Sequence, residues 1–148
     1  MSFRSFEEIE AWKEARLLMK LVRTYSKRAI EKRDYTWADQ ISRAALSVMA
    51  NIAEGCDAQT NPEFVQFLGY AKRSDAEVRS HLYSGVDEEY VLQSEFMEAA
   101  ARTKKIGAQL AKLISYLQEH ERPPTNRQLR LKQGTRTKEQ GTYTEAQL

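Results

Sequence analysis

Apolar residues recur at steps of three and four along most of the chain, which is the spacing of one face of an α-helix. The first predicted helix covers about residues 6–29 and follows a capping box formed by Ser5 and Glu8. The second covers about residues 36–55, begins with a weaker capping box at Thr36 and ends at a glycine. Both segments therefore have a marked start and a continuous apolar stripe.

Two further helices follow the same pattern. The third begins at Thr60, which stands just before a proline in the first helical turn, and extends to about Glu88. The fourth opens near Ser94 and repeats apolar residues at close to heptad spacing. Because short loops between long helices favour antiparallel neighbours, residues 1–121 are predicted to form an all-α, up-down-up-down four-helix bundle.

The second helix is apolar on two sides, which the core of one small bundle does not require. Its core face holds Trp37, Ile41, Ala44, Ala45, Val48 and Ile52. A second apolar side continues around the helix through Leu46, Met49, Ala50 and Ala53. Small and apolar residues outside the core indicate contact with a neighbouring subunit, so we predict self-association. The alternative is that the alanines serve helix propensity alone.

A polar stripe about 80° wide on the helical wheel lies beside this second side. Its members are Gln40, Arg43, Ser47, Asn51 and Glu54. One interpretation is a contact for a ligand or RNA. The interpretation that we favour is structural, a buried hydrogen-bonded seam that sets the register between helices or subunits. Ser74 and Glu77 of the third helix are its candidate partners.

Positive charge is concentrated on the first helix, although the net charge of the chain is only +2. Cations step by three and four residues along one face at Lys13, Arg16, Lys20, Arg23 and Lys27, and Arg28 continues them. Like charges at these spacings repel one another, so the stripe predicts an acidic partner such as the phosphates of a nucleic-acid strand. Two alternatives stay open: the cations complement the helix dipole, or they face acids of the bundle or of a neighbour. The candidate acids are Asp87, Glu88, Glu89, Glu95 and Glu98.

Composition limits the remaining possibilities. The chain has 148 residues, a single cysteine, no apolar run of about 18 residues and no signal-peptide core. We therefore expect a cytoplasmic protein without a membrane span. Residues 122–148 are basic and poor in large apolar side chains, so we predict a mostly disordered tail there.

Residue types that carry catalysis or bind metals are sparse and dispersed. His81 and His120 lie far apart, and neither has a second histidine or cysteine at metal-ligand spacing. Cys56 follows a helix C-terminus, where the dipole does not activate a thiol. Neither a glycine loop for phosphates nor the arginine–histidine spacing of a HEPN-type ribonuclease is present. We expect no catalytic residue, no metal site, no cofactor and no enzymatic activity.

The segment from Arg43 to Gly55, Arg-Ala-Ala-Leu-Ser-Val-Met-Ala-Asn-Ile-Ala-Glu-Gly, resembles the signature of a bacterial four-helix-bundle family. Its members are encoded in intervening sequences of large-subunit ribosomal RNA genes and are often labelled ribosomal protein S23. The likeness covers about residues 5–119, and further matches are Trp12, Ala15, Gln40, Glu63, Phe64, Phe67, Leu68, Ser74 and Glu77. The resemblance implies a ring-shaped homopentamer, nucleic-acid binding and no established catalytic activity.

The chain departs from the family pattern at two positions of the third helix and in its basic tail after Arg122, which is longer than the family core. Arg73 stands where the family often has glycine. Asp75 stands where an apolar residue is expected, and the helical wheel places it within the buried face. A carboxylate in that position must pair or remain near water, because burying it alone is costly.

Together these patterns predict a cytoplasmic, non-enzymatic oligomer that binds nucleic acid, RNA in particular, through basic stripes repeated around the assembly. Contact would be mainly to phosphate and strongly dependent on salt. The alternative is a protein-interaction adaptor, for example a partner of a reverse transcriptase. It comes from a more distant relative in the resemblance, the accessory variability protein of diversity-generating retroelements.

Overall fold

A computed structural model describes residues 2–120, which contain four long helices and no β-strand. The helices are α1 (Glu10–Glu31), α2 (Tyr35–Asp57), α3 (Asn61–Asp87) and α4 (Gln93–Glu119). Each packs on the next in the chain, and α1 also packs on α4. The predicted all-α, up-down-up-down four-helix bundle is confirmed. The predicted tail, residues 122–148, lies outside the described residues.

The starts of the first two helices differ from the sequence prediction. The capping box at Ser5 is wrong: its side chain makes no capping hydrogen bond, and a short 3-10 turn (Phe6–Glu8) precedes α1. At α2 the cap is Asp34 rather than Thr36, and its carboxylate accepts a hydrogen bond from the Trp37 N–H at 3.1 Å. The same carboxylate accepts from the Tyr90 hydroxyl at 2.8 Å, so a tertiary contact favours this cap.

Thr60 caps α3 as predicted, since its side chain accepts from the Glu63 N–H at 3.3 Å. The glycine predicted to end α2, Gly55, lies inside that helix instead. A Cβ atom on Gly55 would come within 2.8 Å of the Phe64 ring and 2.9 Å of Phe67. This glycine therefore permits close packing of α2 against α3 and does not end the helix.

The core lies between the four helices and is mainly aliphatic, with Tyr25, Phe64 and Tyr90 also buried in it. Its fully buried members include Leu18, Val22, Ile41, Val48, Ile52, Leu68, Val78, Leu82, Ile106 and Leu110. Trp37 adds an aromatic anchor, because its indole N–H donates to the His81 carbonyl at 3.1 Å and to the Ser84 hydroxyl at 3.0 Å. Each helix thus places one apolar face inside the bundle.

Asp75 is a carboxylic acid inside this core. Only 3% of its surface is exposed, and its Oδ1 atom has no hydrogen-bond partner within residues 2–120. Its Oδ2 atom faces Gly107 of α4, at 3.4 Å from where a Cβ atom there would be. Burial raises the pKa of Asp75 to about 7, against a weaker opposing effect of Arg79. The predicted placement of Asp75 on the buried face is confirmed.

Candidate nucleic-acid interface

The outer face of α1 carries the predicted cations because its inner face is occupied by the core. Ala15, Leu18 and Val22 are fully buried, and helical geometry turns the residues between them toward solvent. Arg16, Lys20, Arg23 and Lys27 are exposed, and their side chains form no ion pair with any residue of the described part of the chain. We call these four residues the α1 stripe. It extends about 16 Å along the helix axis.

The two outermost predicted cations, Lys13 and Arg28, are each engaged by an acid. Lys13 lies 3.0 Å from Glu10 on its own helix, and both side chains are exposed. Arg28 binds Glu95 of α4 through two nitrogen–oxygen contacts, at 2.6 and 3.0 Å. This hydrogen-bonded pair lowers the pKa of Glu95 and raises that of Arg28. Arg28 thus ties α1 to α4.

Two cations of α4 are likewise engaged by an acid of α1. Arg102 and Lys105 contact the Glu14 carboxylate at 2.6 and 2.8 Å, and only 13% of the Glu14 side chain is exposed. The hydrogen bond from Lys105 has the largest effect on the pKa of Glu14 and lowers it, and Arg102 lowers it further. Partial burial of Glu14 has the opposite, weaker effect. These cations therefore neutralise an interhelical carboxylate and do not widen the α1 stripe. The sequence shows no sign of this pairing, because it joins residues far apart in the chain.

The polar stripe of α2 divides into two parts. Ser47 accepts a hydrogen bond from Ser74 of α3 at 2.9 Å and another from the Asn51 amide at 2.9 Å. Gln40, Arg43 and Glu54 are exposed, and Arg43 pairs with Asp39 at 2.9 Å. The other candidate partner, Glu77, is bound to His81 at 3.2 Å. The predicted buried seam is therefore wrong for Gln40, Arg43 and Glu54, which face solvent, and the hydrogen bond to α3 is made by Ser47.

A second polar contact, between Ser26 and Ser42, escaped the sequence analysis. The two hydroxyls share a hydrogen bond of 2.9 Å between α1 and α2. Ser26 is buried and Ser42 is half-buried. The sequence gives only a weak sign of this contact, because Ser26 is a single polar residue in the otherwise apolar inner face of α1.

The second apolar side of α2 faces away from its own bundle. Leu46 is 46% exposed, Ala50 is exposed, and Ala53 and the neighbouring Met49 are half-buried. Helical spacing puts Leu46, Ala50 and Ala53 on one outward line, which we call the α2 row. The single chain leaves this row in contact with water.

Comparison with known proteins decides the family. Residues 7–112 match the family described as 23S rRNA-intervening sequence protein. The chain belongs to this family. The resemblance inferred from the segment that ends at Gly55 is therefore confirmed, and the match covers α1, α2, α3 and most of α4.

The fold of this family member is also seen in a solved structure of another protein. It is the crystal structure of a protein of unknown function from the S23 ribosomal protein family of Bacteroides thetaiotaomicron VPI-5482. The two chains are 22% identical, the alignment covers 70% of this chain and 97% of the other, and the TM-score is 0.65. At that identity the likeness shows a common fold alone. No curated protein matches the chain.

The chemistry available elsewhere in this family member is limited. Within residues 2–120, no group of three or more histidine, cysteine or acidic side chains is placed to hold a metal ion. His120 interacts through Nδ1 with the Tyr116 carbonyl at 2.8 Å, while His81 contacts Glu77. Among residues 2–120, no helical segment combines the length and the hydropathy of a membrane span.

Proposed function

We propose that this member of the 23S rRNA-intervening sequence protein family is a self-associating, non-enzymatic bundle that binds nucleic acid, RNA foremost, through the α1 stripe. The observation that carries the proposal is that Arg16, Lys20, Arg23 and Lys27 share one exposed face without ion pairs in the described part of the chain. Holding four like charges together costs free energy that polyanion binding recovers. We place this activity in the cytoplasm.

The contact would be made to phosphates rather than to bases. The α1 stripe is a straight line of long cationic side chains, and Lys13 and Arg28 contribute less because acids already engage them. Four phosphate contacts give a slope of log affinity against log salt of about −3 to −4 per copy. Such binding distinguishes nucleic-acid sequences poorly.

Self-association would convert one weak stripe into several linked stripes. The α2 row is the surface that we assign to contact between copies, because its small side chains allow close approach of a second helix. The homopentamer implied by the resemblance would present five stripes to one RNA. Binding by several linked sites raises the overall affinity by orders of magnitude without any new contact.

Charge reversal on the α1 stripe tests the proposed binding. We expect Lys20→Glu with Arg23→Glu to lower RNA retention on a filter by about 30-fold at low salt and to flatten the salt dependence. The matched control is Lys104→Glu with Lys112→Glu, which makes the same change in net charge at exposed positions of α4. Equal losses in both double variants would show that only net charge matters. No loss in either would contradict nucleic-acid binding by the stripe.

Disruption of the α2 row tests the proposed assembly. We expect Leu46→Glu to reduce the sedimentation coefficient to that of a single protomer, because a buried unpaired carboxylate is costly at an apolar contact. Leu17→Glu on α1 is the control, since Leu17 is exposed to a similar extent, 42% against 46% for Leu46. A wild-type protein that sediments as one protomer at micromolar concentration would contradict the proposal.

The second candidate function is that of a protein-interaction adaptor, for example for a reverse transcriptase. The exposed α2 row favours it, because an apolar row can receive a partner protein as well as a second copy. Charge reversal separates the two candidates. An adaptor would keep its function in the double variant at Lys20 and Arg23, whereas an RNA-binding protein would lose it.

A further inference from the structure

A second exposed apolar surface lies where α3 ends and α4 begins, apart from the α1 stripe and the α2 row. Tyr83, Leu92 and Met97 are 61%, 60% and 63% exposed, a greater exposure than that of Leu46. The ring centroid of the half-buried Phe96 lies 4.7 Å from that of Tyr83, and Phe96 follows Leu92 by one helical turn and directly precedes Met97. We call these four residues the α3–α4 corner. Large apolar side chains clustered at the surface mark interaction sites.

Leu92 occupies a position where a leucine gives no local benefit. It is the N-cap residue of α4, where a side-chain oxygen normally accepts a hydrogen bond from the first turn. A leucine side chain has no acceptor, so only one half of a capping box is present: the Leu92 N–H donates to the Glu95 carboxylate at 2.9 Å. Neither capping nor burial therefore accounts for this leucine, and its exposed side chain is free to contact a partner.

The loop beside the corner is acidic. Asp87, Glu88 and Glu89 are exposed and form no ion pair with any residue between 2 and 120. Asp87 lies one helical turn after Tyr83, which places a carboxylate at the edge of the apolar surface. These charges repel nucleic acid and attract cationic side chains.

The corner is held in shape before any partner arrives. The N–H groups of Tyr90 and Val91 both donate to the Gly85 carbonyl, at 2.8 and 3.1 Å. The Tyr90 hydroxyl donates to Asp34 of α2 at 2.8 Å, which fastens the loop to the bundle. A preformed surface loses little conformational entropy on binding.

We infer that the α3–α4 corner binds a basic amphipathic helix of a partner protein. Apolar side chains on one face of such a helix cover Tyr83, Leu92 and Met97, and flanking lysines or arginines meet the acids of the loop. This goes beyond the proposed binding of nucleic acid, because it uses a separate surface and charges of the opposite sign. The two partners can occupy one protomer together.

The test uses a defined peptide and the full chain. The probe is a fluorescein-labelled helix of about 18 leucines and lysines with leucine at the i, i+3, i+4 and i+7 spacing, read by fluorescence anisotropy. A scrambled peptide of the same composition controls for charge. We expect the scrambled peptide to bind at least about tenfold more weakly. Equal binding of the two peptides would overturn the proposal.

Substitutions of residues in the α3–α4 corner distinguish a loss of peptide binding from a loss of stability. We expect Leu92→Ser to weaken peptide binding about tenfold while the Tm stays equal or rises, because serine is a favoured N-cap residue. Met97→Ser should weaken binding similarly, and the control Leu17→Ser should not. Asp87→Asn with Glu88→Gln should weaken binding and reduce its salt dependence. Unchanged affinity in Leu92→Ser and Met97→Ser would overturn the proposal.

Two other occupants of the corner would be recognised by different results, one in the solution mass of the protein and one in the peptide assay. If Leu92→Ser lowers the solution mass of the protein, the corner joins copies of this chain and the proposal fails. If Leu129→Ser with Leu131→Ser strengthens peptide binding, the chain's own basic C-terminal segment occupies the corner and the proposal also fails. Neither result depends on RNA binding, which the α1 variants measure separately.

Discussion

The free energy of unfolding of the wild-type protein is expected to fall by about 2 kcal/mol between about pH 5.5 and pH 8 because of Asp75. Asp75→Asn should abolish this fall. The pKa of this carboxyl rises from 3.8 to about 7 in the folded protein because burial disfavours its charged form. The folded state therefore keeps a proton that the unfolded state has already released. Stability falls as the pH rises toward 7 and levels off above it.

The measurement is urea unfolding of both proteins at a series of pH values. The two carboxylates whose pKa is lowered by interhelical ion pairs, Glu14 and Glu95, stabilise the fold with the opposite pH dependence. Their contributions to stability are lost only as the pH falls through and below the ordinary pKa of a glutamate, and subtracting the Asp75→Asn series removes them because both proteins contain both residues. A difference between the two proteins that does not vary with pH would show that Asp75 is ionised in the fold throughout.

Replacing Gly85 with alanine is expected to destabilise the fold by about 2 kcal/mol. A Cβ atom there would come within 2.6 Å of the Trp37 ring and 2.8 Å of a Val91 methyl group. The ring cannot retreat freely, because its N–H is bound to the His81 carbonyl and the Ser84 hydroxyl. Overpacking of this kind outweighs the better helix propensity of alanine.

The chain provides a matched control for this effect. Gly69 lies in the same helix, and a Cβ atom there would meet nothing within 4 Å. Gly69→Ala should therefore stabilise the protein by about 0.5–1 kcal/mol, through helix propensity alone. Thermal or urea unfolding of the two variants should give shifts of opposite sign. Shifts of the same sign would mean that α2 and the loop before α4 adapt more easily than their packing suggests.

Three surfaces of the bundle differ in chemistry: the cationic α1 stripe, the apolar α2 row and the α3–α4 corner with its acidic loop. A helix in a four-helix bundle needs only one face for the core, so the remaining faces are free to differ. Our proposals assign RNA, a second copy of the chain and a basic helix to these three surfaces. The Lys20, Leu46 and Leu92 variants test them independently.

The position of the candidate interface on α1 could be predicted from the sequence, but which of its cations remain without an ion pair could not. The three- and four-residue spacing placed six cations on or near one face of α1, yet only Arg16, Lys20, Arg23 and Lys27 are without ion pairs among residues 2–120. Arg28 is engaged by an acid 67 positions further along the chain. The α3–α4 corner escaped prediction for the same reason, because its surface joins residues of two different helices.

The sequence by itself determined the number of helices, their apolar faces, the bundle architecture and the burial of Asp75. These features depend on residues a few positions apart, where helical geometry alone decides which side chains share a face. Only the tertiary structure decided which cations are neutralised, where α1 and α2 begin, and that Gly55 serves close packing. Each of these depends on a partner brought near by folding, and spacing along the chain carries no information about that partner.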